Sequence, residues 1–191
     1  MSIQSPPFYS PFYIFIKGAS SLSDQDIFTR LSLKKHTLIK HQGIRPETSS
    51  PKRYLYLTED RHWKHLMDDP MYSLWFDKEI RDRLKALSQE FDIFSCSVGD
   101  IDASYDFRYY QKGKITREFV VEDPKMNGGK IVTDSGSPLP GEKVIKKDQL
   151  EKVLHIARSL GITVKHNLSD IRCYERPELA SEKFIFNEDE Y

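Results

Sequence analysis

The stretch between residues 92 and 123 constrains the fold of this chain more than any other. It contains three runs in which apolar and polar residues alternate, "DIFSCSV" (92–98), "SYDFRYYQ" (104–111) and "KITREFVVED" (114–123). Such alternation is typical of β-strands, because successive side chains point to opposite faces of a sheet. Lys112 and Gly113 separate the last two runs and supply the residues of a tight hairpin turn. We therefore predict an antiparallel meander in the middle of the chain.

Amphipathic patterns on either side of the meander predict helices. Ser23 or Asp24 is a suitable N-cap for a helix that begins in "SLSDQDIFTRLSL". A second helix is expected before the meander and a third at 147–161, where Asp148 and Glu151 resemble a capping box. The apolar stripe of the second helix consists of Phe76, Ile80, Leu84, Leu87 and Phe91.

Further strands are expected at 12–18, in "HTLIKHQ", in "RYLYLTED" (53–60) and in "GGKIVTDSG". We expect "RYLYLTED" to lead into a helix that Thr58 caps and that carries Trp63, Leu66 and Met67 on one face. The fold class predicted from these patterns is α+β, with an antiparallel sheet of about five or six strands and two or three packed amphipathic helices. We expect a single domain over residues 1–191, with an extended arm at 1–11, a flexible loop at 43–52 and a C-terminal tail at 177–191.

Charge and composition exclude several classes of protein. The chain has 29 basic and 29 acidic residues, so its formal net charge is zero and general nucleic-acid binding is not expected. An aromatic content of 12% argues against disorder. The two cysteines, Cys96 and Cys173, are too few for a disulfide scaffold and are expected to be reduced thiols, with Cys96 in the core. We find no signal peptide and no run long enough to span a membrane, and therefore expect a soluble cytoplasmic protein.

Three aspartates form the most conspicuous polar cluster, in "GDIDASYD" (99–106). Asp100, Asp102 and Asp106 alternate like calcium ligands, but Tyr105 and Gln111 stand where an EF-hand needs glycine and glutamate. A structural turn is the simpler interpretation, since aspartate side chains bind backbone amides in turns. A partner-binding edge and a metal or catalytic site remain alternatives.

Two histidines offer a second candidate site. His62 and His65 would lie side by side on a helix, with Asp68 and Asp69 one turn later. The sequence has no HExxH motif, and packing of Trp63 would explain such a helix equally well. It also lacks a GxSxG motif and a phosphate-binding loop, so we assign no catalytic residue, no metal ligand and no cofactor.

The aromatic strand "YDFRYY" suggests a contact surface. It cannot bury every ring unless both faces of the sheet are covered, and protein interfaces favour tyrosine and arginine. We therefore take Arg108, Tyr110 and Arg117, together with Asp100 and Asp102, as candidate binding residues. The alternative is that helices and N-terminal strands cover both faces of the sheet.

Three segments together resemble a group of small, uncharacterised bacterial α+β proteins. They are "YLTEDRHWKHLMDDPMYSLWFDKEIRDRL", "FSCSVGDIDASYDFRYYQKGKITREFVVEDP" and "GSPLPGE", and the resemblance covers about residues 53–142. Some similar proteins are immunity partners of secreted toxins. The resemblance implies a bacterial cytoplasmic binding protein and transfers no catalytic residue.

Three functions follow as hypotheses. The first is an intracellular, non-enzymatic binding protein whose partner is another protein, such as an immunity-type inhibitor of a bacterial toxin. The second is a small metal-dependent or hydrolytic enzyme that uses His62, His65, Asp100 and Asp102. The third is a self-associating regulatory or structural module that makes contact through an exposed strand edge or through "FIF" (184–186).

Overall fold

The computed structural model describes residues 12–33, 36–40, 54–68, 78–98, 104–122, 130–142, 149–163 and 170–175. The α-helices among them are α1 (Asp24–Arg30), α2 (Lys78–Leu87) and α3 (Gln149–Ser159). The strands are β1 (Phe12–Lys17), β2 (Thr37–Lys40), β3 (Tyr54–Glu59), β4 (Trp63–Asp68), β5 (Ile93–Val98), β6 (Tyr105–Gln111), β7 (Lys114–Glu122), β8 (Lys130–Gly136) and β9 (Arg172–Glu175). The predicted arm at 1–11, loop at 43–52 and tail at 177–191 lie outside the described residues.

All the strands belong to one sheet, with the order β2-β9-β3-β4-β1-β5-β6-β7-β8. Every neighbouring pair is antiparallel. The prediction of an α+β fold with five or six strands is therefore wrong, because the described residues form one large sheet of nine strands with three helices. Two of the nine strands have no counterpart among the predicted strand segments: β4, which lies in a segment expected to be helical, and β9, which pairs with β2 and β3.

The predicted helix after residue 59 is in fact the second strand of a hairpin. Asp60 closes the turn between β3 and β4, because its Oδ1 accepts the amides of His62 and Trp63, each at 2.8 Å. Trp63 and Met67 then lie on one face of the sheet and Leu66 on the other, and all three are buried. Residues at this helix-like spacing can all be buried on a strand here, because helices cover both faces of the sheet.

The two faces of the sheet carry separate cores. α3 packs on one face, called here the α3 face, and α1 and α2 pack on the other, the α1–α2 face. The sheet residues of the α3 core include Tyr13, Phe15, Tyr56, Trp63, Met67, Phe94, Cys96, Phe107 and Cys173. Those of the α1–α2 core include Ile14, Ile16, Leu55, Leu57, Leu66, Ile93 and Tyr110. Cover on both faces accounts for the burial of rings on both sides of β6.

Local signals placed α1, α2 and the meander correctly. Ser23 caps α1 in a capping box with Asp26. α2 buries Ile80, Leu84 and Leu87, as its stripe predicts. β5, β6, β7 and β8 pair in sequence order. In the turn between β6 and β7, Lys112 and Gly113 have φ of 51° and 76°, which suits the right-handed twist of a hairpin.

Candidate interaction surface

The structure places the predicted contact residues in different environments. Asp100 and Asp102 lie outside the described residues. Arg108, Tyr110 and Arg117 are only 7%, 0% and 3% exposed. Arg108 and Tyr110 lie on the α1–α2 face, whereas Arg117 lies on the α3 face, opposite Tyr109. These three side chains therefore do not form one exposed patch in this conformation.

Arg108 holds together the polar side chains of three adjacent strands. Its guanidinium donates to Asp106 and, through Nε at 2.7 Å, to Glu118. The hydroxyl of Ser97 donates to the same Asp106. Burial opposes the charge of Arg108, but Asp106 and Glu118 outweigh it and raise the pKa of Arg108. This network stabilises the β5–β6–β7 meander from within.

Tyr110 is buried beneath α2 rather than available to a partner. It packs in the α1–α2 core with Ile93 and Leu87. Burial raises the pKa of Tyr110 to about 12, so the phenol stays neutral at physiological pH. In this position Tyr110 contributes to the core.

Arg117 fastens β8 and the turn that follows it to the sheet. Its Nε and Nη2 donate to the two carboxylate oxygens of Glu142 at 2.9 and 2.8 Å. Its Nη1 donates to Asp134 at 2.5 Å and to the carbonyl oxygen of Ser135 at 3.0 Å. The guanidinium also lies over the ring of Phe119, 5.2 Å from its centre. We call this group of contacts the Arg117 clamp.

The two candidate metal ligands lie in different environments within the β3–β4 hairpin. His62 is exposed in the turn, whereas His65 is fully buried on β4, with its Nε2 3.2 Å from Oδ2 of Asp60. The same Asp60 oxygen accepts the amide of Thr163 at 3.0 Å. Burial would raise the pKa of Asp60, but these hydrogen bonds bring it well below the usual range. Within the part of the chain that the structure describes, no group of three His, Cys, Asp or Glu side chains is placed to hold a metal ion.

A further ionic cluster was not predicted from the sequence. Asp24 accepts from Arg172 Nε at 2.5 Å and from the hydroxyl of Tyr174 at 2.7 Å. Lys64 Nζ lies 3.7 Å from Oδ1 of Asp24 and 2.9 Å from Oε2 of Glu59. The cluster ties the start of α1 to β9, across 148 residues of sequence. No local pattern could reveal it, since the partners meet only in the folded sheet.

The exposed large hydrophobic side chains of the described residues lie on the two edge strands. Ile131 and Val132 on β8 are 56% and 51% exposed, and Leu38 on β2 is 41% exposed. On β8 the register with β7 shifts between Val120 and Val121, so that strand alternation is interrupted at a β-bulge. Six of the seven residues of β8 are exposed, on both faces of the sheet, and this accounts for two neighbouring apolar residues being exposed together. We call the outer side of residues 130–136 the β8 edge.

An edge strand can pair with another chain, because a row of its amide and carbonyl groups points away from its neighbour in the sheet. The Arg117 clamp holds the β8 edge in place from behind.

No protein-family model matches this chain, and neither does any curated protein or solved structure. The candidate site therefore rests on the geometry of the β8 edge. No helix among the described residues is long and apolar enough to cross a membrane.

Proposed function

We propose that this protein is a non-enzymatic binding protein that recognises another polypeptide by strand addition at the β8 edge. The observation that carries this proposal is the exposure of Ile131 and Val132 on a terminal strand of the sheet. In strand addition, main-chain hydrogen bonds supply affinity and exposed side chains supply selectivity. Ile131 and Val132 would provide the apolar contacts, and Lys130 and Asp134 the charged ones.

The support beneath β8 favours this function. A binding strand is more effective when its bound conformation exists beforehand, because less entropy is lost on association. The Arg117 clamp fixes Asp134, the Ser135 carbonyl and Glu142 together. The β8 edge is therefore held ready for a partner strand.

Immunity-type inhibition of a bacterial toxin in the cytoplasm is the specific form that we propose. An inhibitor needs only a stably folded surface that fits its target, and the β8 edge is the surface that we propose for this contact. The enzyme hypothesis gains no comparable support, because His62 is exposed in a turn while His65 is buried against Asp60.

Affinity capture from a lysate of the source organism tests this function. The bait is the wild-type chain beside Ile131→Lys, which places a charge on the β8 edge. Leu38→Lys is the matched control, since it makes the same kind of change on the opposite edge strand. We expect a heterologous partner with wild type and Leu38→Lys and its loss with Ile131→Lys. Equal capture by all three proteins would show that the partner binds elsewhere.

A further inference from the structure

Residues 130–142, which comprise β8 and the turn after it, have little apolar cover. Six of the seven residues of β8 are exposed, and α3 packs mainly on β5 and β6. β8 is held to the sheet by its ladder with β7, from Lys130 to Gly136, and by the Arg117 clamp. Segments with few buried apolar contacts detach from a fold at a lower free energy than its core does.

The turn after β8 is tied to the same side chain as β8 itself. Arg117 binds Asp134 and two carbonyl oxygens at the end of β8, which lie 3.0 and 3.4 Å from its Nη1. It also binds both carboxylate oxygens of Glu142 in the turn, and Glu142 accepts the amide of Leu139 at 2.7 Å. If the turn left alone, the buried Arg117 would lose its best-paired acceptor, and a buried charge without its partner is costly. The strand and the turn are therefore expected to leave together.

We propose that residues 130–142 detach from the sheet and return to it as one cooperative unit, with Arg117 as its latch. The importance of this latch rests on the proposed function, because detachment removes the β8 edge and so decides when that edge can bind. A polypeptide that pairs with β8 binds only the attached form and therefore stabilises it.

Two contacts besides the latch favour the attached form. Leu139 packs against the α3 core, and Gly136 lies so close to β7 that a Cβ there would be 2.0 Å from the carbonyl oxygen of Thr116. Detachment would also uncover Val121, which is buried on β7 opposite Ile131. The attached form is therefore the main one, and detachment involves a small fraction of molecules.

Amide hydrogen exchange at low urea concentrations tests the proposal in wild type, since it measures a free energy of exposure for each amide. We expect one shared value for the β8 amides that bond to β7 and for the amides of Leu139 and Glu142. This value should be lower than that of the core amides in β5 and β6. It should also depend less on urea, because detachment exposes less surface than global unfolding.

A pair of variants separates detachment from global unfolding. Arg117→Met removes contacts that are absent both from the detached form and from the unfolded chain, so exchange should become faster in residues 130–142 and in the core, each on the order of a hundredfold. Leu84→Ala is the control, because Leu84 packs in the α1–α2 core and keeps its contacts when β8 detaches. It should speed exchange of the core amides at least about thirtyfold and leave residues 130–142 unchanged.

A disulfide between β7 and β8 gives a readout that does not depend on a destabilising change. Val120 and Thr133 lie opposite each other in the ladder, and opposed residues of antiparallel strands are close enough for a disulfide. In the oxidised Val120→Cys/Thr133→Cys protein, residues 130–142 should exchange as slowly as the core. The reduced form of the same protein is the matched control and should exchange as wild type does.

Three results would overturn the proposal. The first is a Leu84→Ala protein in which residues 130–142 exchange faster by the same factor as the core, since they would then be exposed only by global unfolding. The second is a free energy of exposure for the Leu139 and Glu142 amides that differs from that of β8. The third is equal exchange of residues 130–142 in the oxidised and reduced double variant.

The failure of this inference differs from that of the proposed function. Hydrogen exchange needs no partner, so a cooperative unit at residues 130–142 can be found even if affinity capture yields nothing at the β8 edge. A partner that is lost with Ile131→Lys, together with residues 130–142 that exchange only with the core, would keep strand addition and refute the latch.

Discussion

The Arg117 clamp should contribute several kcal/mol to stability, and we expect Arg117→Met to remove most of it. Arg117 is 3% exposed, and the Glu142 side chain that it binds through two hydrogen bonds is 10% exposed. Removing one partner of a buried ion pair costs about 3–5 kcal/mol, largely because the other charge is left buried. Methionine keeps the alkyl packing on Phe119, so the loss reports the guanidinium. We expect a fall toward the lower end of that range, since Glu142 still accepts the amide of Leu139.

Urea denaturation of a double-mutant cycle measures this contribution and apportions it between the acidic partners. Coupling of Arg117→Met with Glu142→Gln should reach about 1.5–3 kcal/mol, as for hydrogen bonds to charged groups. Coupling with Asp134→Asn should stay below about 1 kcal/mol, because the Asp134 side chain is 55% exposed and solvent screens it. The m value should not change. A cost of Arg117→Met below about 1 kcal/mol, or a larger coupling to Asp134, would refute this reasoning.

Three further predictions concern stability elsewhere. Gly18 and Gly136 both have positive φ, but a Cβ on Gly136 would lie 2.0 Å from the Thr116 carbonyl oxygen while one on Gly18 meets nothing within 4 Å. Gly18→Ala should therefore cost about 1–2 kcal/mol in urea denaturation and Gly136→Ala clearly more, and equal costs would contradict the close approach. The lowered pKa of Asp60 gives stability that is present above its unfolded pKa of about 3.9 and is lost as pH falls toward the folded value. Between about pH 5 and 2 wild type should thus lose stability more steeply than Asp60→Asn, and parallel curves would count against this. Leu84 is 0% exposed in the α1–α2 core, so Leu84→Ala should cost about 2–5 kcal/mol by thermal or urea unfolding, and a cost under about 1 kcal/mol would mean that α2 is loosely packed.

The parts of the fold predicted correctly are those specified by neighbouring residues. The hairpin of β6 and β7 follows from alternation and from Lys112-Gly113, and α1 follows from Ser23 and a short apolar stripe. In each case the residues that fix the structure lie within one turn or one hairpin. Local propensity and the final fold therefore agree there.

The errors arose where distant pairing decides the structure. β9 has only four residues and exists because it lies between β2 and β3 in the sheet. β4 was predicted as a helix because Trp63, Leu66 and Met67 suit helical spacing when one face alone is buried. Because both faces of the sheet are covered, a strand can bury residues at this spacing as well as a helix can. For the same reason Tyr110, predicted to be a contact residue, lies buried in the core.

The residues of the sheet become more exposed from β6 through β7 to β8, and this places the candidate surface at β8. β6 is buried along almost its whole length, β7 is mixed, and six of the seven residues of β8 are exposed. α3 packs mainly on β5 and β6, so packing against α3 is not what holds β8 in place. The Arg117 clamp supports β8 from the inner side through hydrogen bonds to Asp134 and Ser135, and no strand among the described residues pairs with its outer side. An edge strand held by ionic contacts from within can be both ordered and open, which are the two properties that strand addition requires.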